Sequence, residues 1–188
     1  MKSMRITAMV LALVGVAGGG SLQAQMQPMY RSAPAKPTSL QISGGMIVPV
    51  FSYADITDDI GWQAQGAIVV RRGAFNHFRL EGEYNSVGLE SGLSGGSQVY
   101  GGGIGGGRVL VRGNVQQEGY LVLGLYEFDG SFRGTNYSEL QFGTKVGFNV
   151  VAGGRSGSRV HPVIDFHWLT TWSQPYVNII FIGGGLRF

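Results

Sequence analysis

The sequence predicts an all-β protein, an eight-stranded antiparallel up-and-down transmembrane β-barrel. Three observations lead to this prediction. Apolar and polar residues alternate with a period of two, clusters of turn residues interrupt the alternation repeatedly, and charged residues are scarce. Charged residues make up 13% of the chain, against about 25% in ordinary soluble domains. The low charge indicates that much of the surface does not face water.

The first residues have the pattern of a cleaved signal peptide, residues 1–24. Lys2 and Arg5 provide a basic start, Ile6–Ala17 is apolar, and Gly18–Ala24 consists of small and weakly polar residues around one leucine. The apolar run is too short for a membrane-spanning helix, which needs about 20 residues. We therefore expect export and removal of this segment.

A proline-rich stretch without periodicity, Gln25–Pro37, follows and predicts a flexible periplasmic leader before a barrel spanning residues 38–188. The chain has no cysteine, which excludes a disulfide-stabilised scaffold. The formal charge of +3 falls to about +1 without the two basic residues of the signal peptide. So small an excess gives no reason to expect nucleic-acid binding.

Eight segments after residue 37 are long enough for a tilted membrane strand, which needs about 9–11 residues. Turn residues such as Asp-Gly, Arg-Gly-Asn and Ser-Gln-Pro separate them. The predicted segments are Ser39–Phe51, Ile60–Arg71, His77–Val87, Gln98–Arg112, Tyr120–Phe128, Ser138–Val151, Val160–Thr171 and Tyr176–Phe188.

Alternation alone does not say which face of a strand lies outside. A soluble barrel of the lipocalin type buries its apolar face, whereas a membrane barrel turns it towards lipid. The polar faces here carry too few charges for a solvated exterior, and aromatic residues cluster towards segment ends, as interfacial girdles do. Closure also leaves no unpaired strand edge in lipid. These features favour the membrane barrel, and the soluble ligand-binding barrel stays an alternative.

In the membrane barrel the polar faces point into a lumen that eight strands leave just wide enough for side chains. Acids and bases enclosed there are expected to pair, because an isolated buried charge is costly. The pairing gives either a packed core that plugs the barrel or, alternatively, a gate or proton path. The residues predicted to line the lumen are Arg71, Arg79, Glu81, Glu83, Arg108, Glu139, Lys145, Asp165 and His167.

The last segment ends in Leu186, Arg187 and Phe188 after three glycines. It resembles the closing strand of bacterial outer-membrane barrels, which ends in Phe after alternating apolar residues. Gly183, Leu186 and Phe188 match the barrel-closing assembly signal of such strands, whereas Phe181 stands where that signal usually has a polar residue.

With the signal peptide, the eight segments and the terminal Phe, the chain resembles small outer-membrane barrel proteins of the OmpA/OmpX/opacity-like type. The resemblance implies location in the outer membrane, contact with its lipid, insertion by the barrel-assembly machinery and a monomeric state. It implies a structural or surface-interaction role, with no cofactor and no wide channel. A narrow pore for small solutes is the alternative role.

Some barrels of this size modify lipid A, which raises the possibility of an enzyme. The deacylase type has a Ser two residues after its catalytic His. Here Leu169 takes that position after His167, so the pattern fails at the nucleophile. His161, Asp165 and His167 share one face of the same segment. His161 lies about 13 Å along the strand from Asp165, so these three side chains cannot bind one metal ion. We predict no catalytic residue and no metal site.

Overall fold

The computed structural model describes residues 38–55, 57–72, 76–89, 96–132, 135–153, 159–174 and 176–188. The expected signal peptide and leader lie outside the described residues. Within the described ranges the chain forms eight strands and one short 3-10 helix. In chain order they are β1 (Thr38–Pro49), the 3-10 helix (Phe51–Tyr53), β2 (Thr57–Arg72), β3 (Asn76–Leu89), β4 (Gly96–Arg112), β5 (Val115–Phe132), β6 (Thr135–Ala152), β7 (His161–Thr171) and β8 (Asn178–Arg187).

The strands close into a barrel in which each strand pairs antiparallel with its neighbours in the chain. β8 pairs with β1 from Gln41–Arg187 to Pro49–Ile179, so no strand edge is left open. This confirms the predicted eight-stranded up-and-down barrel. We call the end where β1 begins and β8 finishes the terminal end, and the opposite end the distal end.

The apolar side chains face outwards and the charged ones inwards. Phe78 and Phe142 are 47% and 63% exposed on the outer surface, whereas Arg79 and Lys145 are fully buried inside. A belt of exposed Leu, Ile, Val and aromatic side chains surrounds the barrel. Such an exterior is stable in acyl chains and not in water, so the chain is a transmembrane β-barrel. No helix in the part of the chain that the structure describes has the length and apolarity to cross a membrane.

Glycines make room inside the barrel for large side chains. Gly101, Gly103, Gly105 and Gly107 occupy the inward positions of β4, between buried Val99 and Val109. A Cβ at any of the four would overlap the backbone of β5. The Tyr120 ring lies over Gly147, its partner on β6. Glycine here permits close approach and covering by an aromatic ring.

Strand β5 begins five residues earlier than the sequence predicts. The segment before Tyr120 is polar and follows Arg112-Gly113-Asn114, so it has the composition of a long turn. The turn consists of Gly113 and Asn114 alone, with Gly113 at φ 59, and Arg112 already pairs with Val115. The early start places Glu118 inside the barrel.

Candidate functional site: the polar network inside the barrel

The lumen holds a continuous set of buried polar side chains, which we call the inner network. Its ionised members are four cations and four carboxylates among the described residues. The formal charges of these eight side chains sum to zero. Amides, hydroxyls and imidazoles fill the space between them. The charged members are Arg71, Arg79, Lys145, Arg187, Glu81, Glu83, Glu118 and Asp165.

At mid-height, Lys145 from β6 forms ion pairs with Glu81 and Glu83, two inward neighbours on β3. Glu81 also pairs with Arg79, and Glu83 accepts a hydrogen bond from Gln63 Nε2 at 3.1 Å. The Arg79 guanidinium lies 4.5 Å from the centre of the Tyr120 ring. Each charge is therefore surrounded by partners in a region from which water is excluded.

We call Lys145, Glu81, Glu83 and Arg79 the central cluster, and Asp165, 3.9 Å from Arg79 Nη2, joins it to three other strands. Its Oδ2 accepts hydrogen bonds from Gln65 Nε2 at 2.5 Å and Gln41 Nε2 at 3.2 Å, and its Oδ1 accepts from the Tyr120 hydroxyl at 2.9 Å. The side chain is fully buried. A carboxylate with this many donors is held in one orientation.

His167 lies beside Asp165, with 3.4 Å between Nδ1 and Oδ1. Its other nitrogen is 3.2 Å from the Gln63 side chain, and its ring stacks on Phe181 at 4.5 Å between centroids. Ser43 Oγ is 3.4 Å from Asp165 rather than bonded to the imidazole. The Tyr120 hydroxyl, which donates to Asp165 Oδ1, is also 3.4 Å from His167 Nδ1. The His–Asp pair is thus buried in the barrel core, and no serine hydroxyl of the described residues is hydrogen-bonded to the imidazole.

A second cluster closes the terminal end. Glu118 accepts hydrogen bonds from Arg187 Nη1 at 2.5 Å and Nη2 at 2.6 Å, a two-point ion pair. Arg71 is 3.6 Å from the same carboxylate, and Gln41 Oε1 accepts from Arg187 Nη2 at 2.5 Å. This cluster ties β8 to β5 across the lumen, as well as to β1 and β2.

An apolar cap fills the lumen at the distal end. The 3-10 helix after β1 turns inwards and buries Tyr53, whose hydroxyl is 2.6 Å from Ser97 Oγ. Burial raises the pKa of the Tyr53 hydroxyl to about 12. The cap consists of Ile47, Tyr53, Val87, Val99, Tyr126, Phe128, Leu169, Val177, Ile179 and Phe181.

Seven of the nine residues predicted to line the lumen do so, and all except Arg71 are fully buried or nearly so. The prediction is wrong for Arg108, which is exposed on the outer face of β4, between inward Gly107 and Val109. The glycine run of β4 lacks the alternation that would have shown the face. The prediction is also wrong for Glu139. This residue lies on the inward face of β6, but it is beyond the lumen and exposed at the distal end.

Sequence reasoning missed Glu118 and Arg187, which carry the terminal cluster. Glu118 was concealed by its turn-like surroundings. Arg187 could have been found, because Leu186 and Phe188 on the outer face place the residue between them inside. The two residues flanking it and Gly183 occupy the expected positions of the closing strand, and their role in assembly stays a prediction.

The fold and its closed ionic interior define the class of the protein as a small eight-stranded outer-membrane-type β-barrel. Among solved structures, the chain is similar to Neisserial surface protein A, with a TM-score of 0.62 and 13% identity over 80% of this chain and 96% of that one. It is also similar to a major outer membrane protein of Thermus thermophilus, with a TM-score of 0.54 and 10% identity over 80% and 98% of the two chains. At such identities the likeness is one of fold.

No family model matches the sequence, and no curated protein is similar to it at a significant level. We therefore infer the function from the geometry of the barrel itself.

Proposed function

We propose that the protein is an outer-membrane barrel that is closed to solutes and has a structural or surface-interaction role. The observation that carries this proposal is the complete burial of Arg79, Lys145, Glu118 and Asp165 inside the lumen. A water-filled path would have to pass these side chains and would expose them. The barrel then serves as a membrane anchor whose two ends lie at the two membrane surfaces.

Two barriers in series support the closed state. The central cluster can open only by separating buried ion pairs, which costs about 3–5 kcal/mol for each broken pair. The apolar cap blocks the distal end independently and excludes hydrated ions. A narrow pore would require both to rearrange together.

The non-enzymatic reading agrees with the position of the His167–Asp165 pair. Both side chains are 1% exposed or less, so a substrate could reach them only if the strands of the barrel separated. Location in the outer membrane is supported by the apolar exterior and by the two similar folds, one named as a surface protein and one as an outer membrane protein.

Reconstitution into a planar bilayer tests the closed lumen. We expect no stepwise conductance from the refolded barrel, with a general diffusion porin measured in parallel as positive control. Discrete steps that disappear when the protein is left out would contradict closure and favour the narrow pore.

Cell fractionation and gel migration test the membrane assignment. The protein is expected in the outer-membrane fraction, to need detergent for extraction, and to change mobility in SDS only after boiling. Extraction without detergent and an unchanged mobility would favour the soluble barrel.

A further inference from the structure

The exposed charges of the barrel are separated by sign between its two ends. Four exposed arginines lie at the terminal end, and we call them the basic rim. Arg72 ends β2, Arg112 ends β4, Arg108 is further up the outer face of β4, and Arg159 precedes β7 by two residues. Together they surround the terminal end from several sides.

The distal end has the opposite sign. Asp55, Asp129 and Glu139 are exposed there, and Glu127 is half-buried on the outer face of β5. Among the described residues, no Lys or Arg side chain accompanies them. The described cations are either enclosed in the inner network or part of the basic rim.

The arginines of the basic rim have no anionic partner within the described part of the protein. None of the four forms an ion pair with a described carboxylate, whereas the arginines of the inner network do. Arg108 pairs in register with Asn76 and Gly119, neither of which carries a charge. Their charge is therefore available to an external group.

The surface beside the basic rim is apolar and faces lipid, which favours a lipid headgroup as the external anion. Leu110 and Phe78 are about half exposed on the same outer face, next to Arg108, and belong to the belt that contacts acyl chains. An arginine at the edge of such a belt extends its guanidinium towards the headgroup layer, where it meets phosphate.

We propose that the basic rim binds the phosphate groups of anionic phospholipids in the leaflet at the terminal end of the barrel. The guanidinium fork matches a phosphate with two parallel hydrogen bonds. The acidic distal end repels the same lipids, so the preference is confined to one leaflet. This proposal depends on the proposed function only in requiring that the barrel is inserted in a bilayer.

Lipid selectivity measured by electron paramagnetic resonance tests the basic rim. The refolded protein is placed in phosphatidylcholine vesicles with a trace of spin-labelled phosphatidylglycerol or spin-labelled phosphatidylcholine. The motionally restricted fraction then gives the relative affinity. At low salt we expect the anionic lipid to be preferred roughly fivefold or more, since each arginine near the membrane surface contributes about that factor.

The test variant carries Arg72→Gln, Arg108→Gln, Arg112→Gln and Arg159→Gln, and its preference is expected to fall to about one. The matched control carries Asp129→Asn and Glu139→Gln and should keep the wild-type preference or raise it slightly, because it removes repelling charge from the distal end. Two double variants, Arg72→Gln with Arg159→Gln and Arg108→Gln with Arg112→Gln, should each show an intermediate loss. They keep the test valid if the fourfold variant does not fold.

An unchanged preference in folded Arg→Gln variants, or an equal loss in the carboxylate control, would overturn the proposal. Loss of the preference in inorganic phosphate, but not in chloride of equal ionic strength, would also overturn it in favour of a free-phosphate site. Failure of the proposed function has a different signature, because a chain that does not insert shows no restricted lipid of either kind and no heat-dependent gel migration.

Discussion

At the scale of single residues, the interior shows how a barrel can enclose ions without a channel. Lys145 is fully buried, yet two carboxylates and the Gln65 amide lie around its ammonium group. Desolvating such a charge costs several kcal/mol and is offset only if every partner is present. The balance of four cations and four carboxylates follows from this requirement.

The first prediction concerns this balance. Lys145→Gln leaves Glu83 without its cation and Glu81 with Arg79 alone, so the free energy of unfolding should fall by about 3–5 kcal/mol. The measurement is urea unfolding of the refolded protein in detergent micelles, followed by tryptophan fluorescence.

Arg108→Gln is the matched control, because it removes an exposed charge from the outer face and should change the same quantity by less than about 0.5 kcal/mol. Adding Glu83→Gln to Lys145→Gln should recover part of the loss by removing the uncompensated charge. A loss for Lys145→Gln as small as that for Arg108→Gln would contradict the buried ion pairs, and a loss for Arg108→Gln as large as that for Lys145→Gln would contradict its exposed position.

The second prediction uses the raised pKa of Tyr53, about 12 against an ordinary value of 10. A folded-state pKa above the unfolded value gives stability that is complete below pH 10 and is lost as the pH rises towards 12. The tyrosine therefore contributes an alkaline loss of about 2–3 kcal/mol between these values.

Tyr53→Phe should lack this contribution, so its unfolding free energy should decline less steeply than that of the wild type from pH 10 to 12. At pH 8 the variant should be less stable by about 1 kcal/mol, since Ser97 loses its buried partner. Parallel pH profiles for the two proteins would show that the hydroxyl is not buried.

At the scale of elements, strand β4 depends on glycine rather than on alternation. Its four inward glycines allow its backbone to lie close to β5, and Gly101 leaves the space that the Tyr126 ring occupies. Strand β3 alternates in the usual way, with Arg79, Glu81 and Glu83 on the inner row and Phe78 and Leu80 on the outer row.

The third prediction compares two glycines at the same level of the barrel. A Cβ at Gly107 would overlap the Gly119 carbonyl oxygen, whereas a Cβ at Gly119 would have no heavy atom within 4 Å. Gly107→Ala should therefore destabilise the barrel by about 1–3 kcal/mol through overpacking. Gly119→Ala should be neutral or slightly stabilising.

Urea unfolding in micelles compares these variants, and the temperature at which the folded band disappears in SDS gives a second measure. A Gly107→Ala protein as stable as the Gly119→Ala protein would show that the close approach of β4 to β5 is not required.

Strands with regular alternation could be predicted from the sequence, and those without it could not. Around Arg79, Glu81 and Glu83 the period of two determines which side chains are enclosed, because a one-residue slip would turn every charge into lipid. In β4 the glycines have no side chains from which to read a face, and Arg108 was assigned to the wrong side.

The ion-pair partners on distant strands could not be predicted from the sequence either. Which of several carboxylates meets Lys145 depends on strand register and on the tilt that closes the barrel. The apolar cap was missed for a related reason, since inward Phe181 departs from the polar inner row and packs on His167 only in the closed fold.

At the scale of the whole molecule, closure joins the two ends of the barrel-forming chain. Phe188 donates a backbone hydrogen bond to Leu40 and accepts one from it, at 2.8 and 3.3 Å, on the outer side of the β1–β8 seam. Arg187 stabilises the same seam from the lumen side by donating hydrogen bonds to Glu118 and Gln41. Phe188 therefore faces lipid, whereas its neighbour Arg187 faces the core.

The fourth prediction separates stability from assembly at this seam. Phe188→Ala removes a ring that is 43% exposed and leaves the backbone hydrogen bonds, so the refolded barrel should lose only about 1 kcal/mol. Arg187→Ala leaves Glu118 buried with Arg71 as its remaining, more distant cation, and should lose about 3–5 kcal/mol.

In cells the order should reverse if Phe188 belongs to the signal read by the assembly machinery. The amount of Phe188→Ala protein in the outer membrane should then fall severalfold, while Arg187→Ala protein should still be inserted but should lose its folded gel band at a lower temperature. Arg187→Lys is the matched variant for charge, since it keeps the cation but not the two-point contact and should recover part of the stability. Normal membrane levels of Phe188→Ala protein would show that closure of this barrel depends on the inner ion pair and the backbone pairing rather than on the terminal ring.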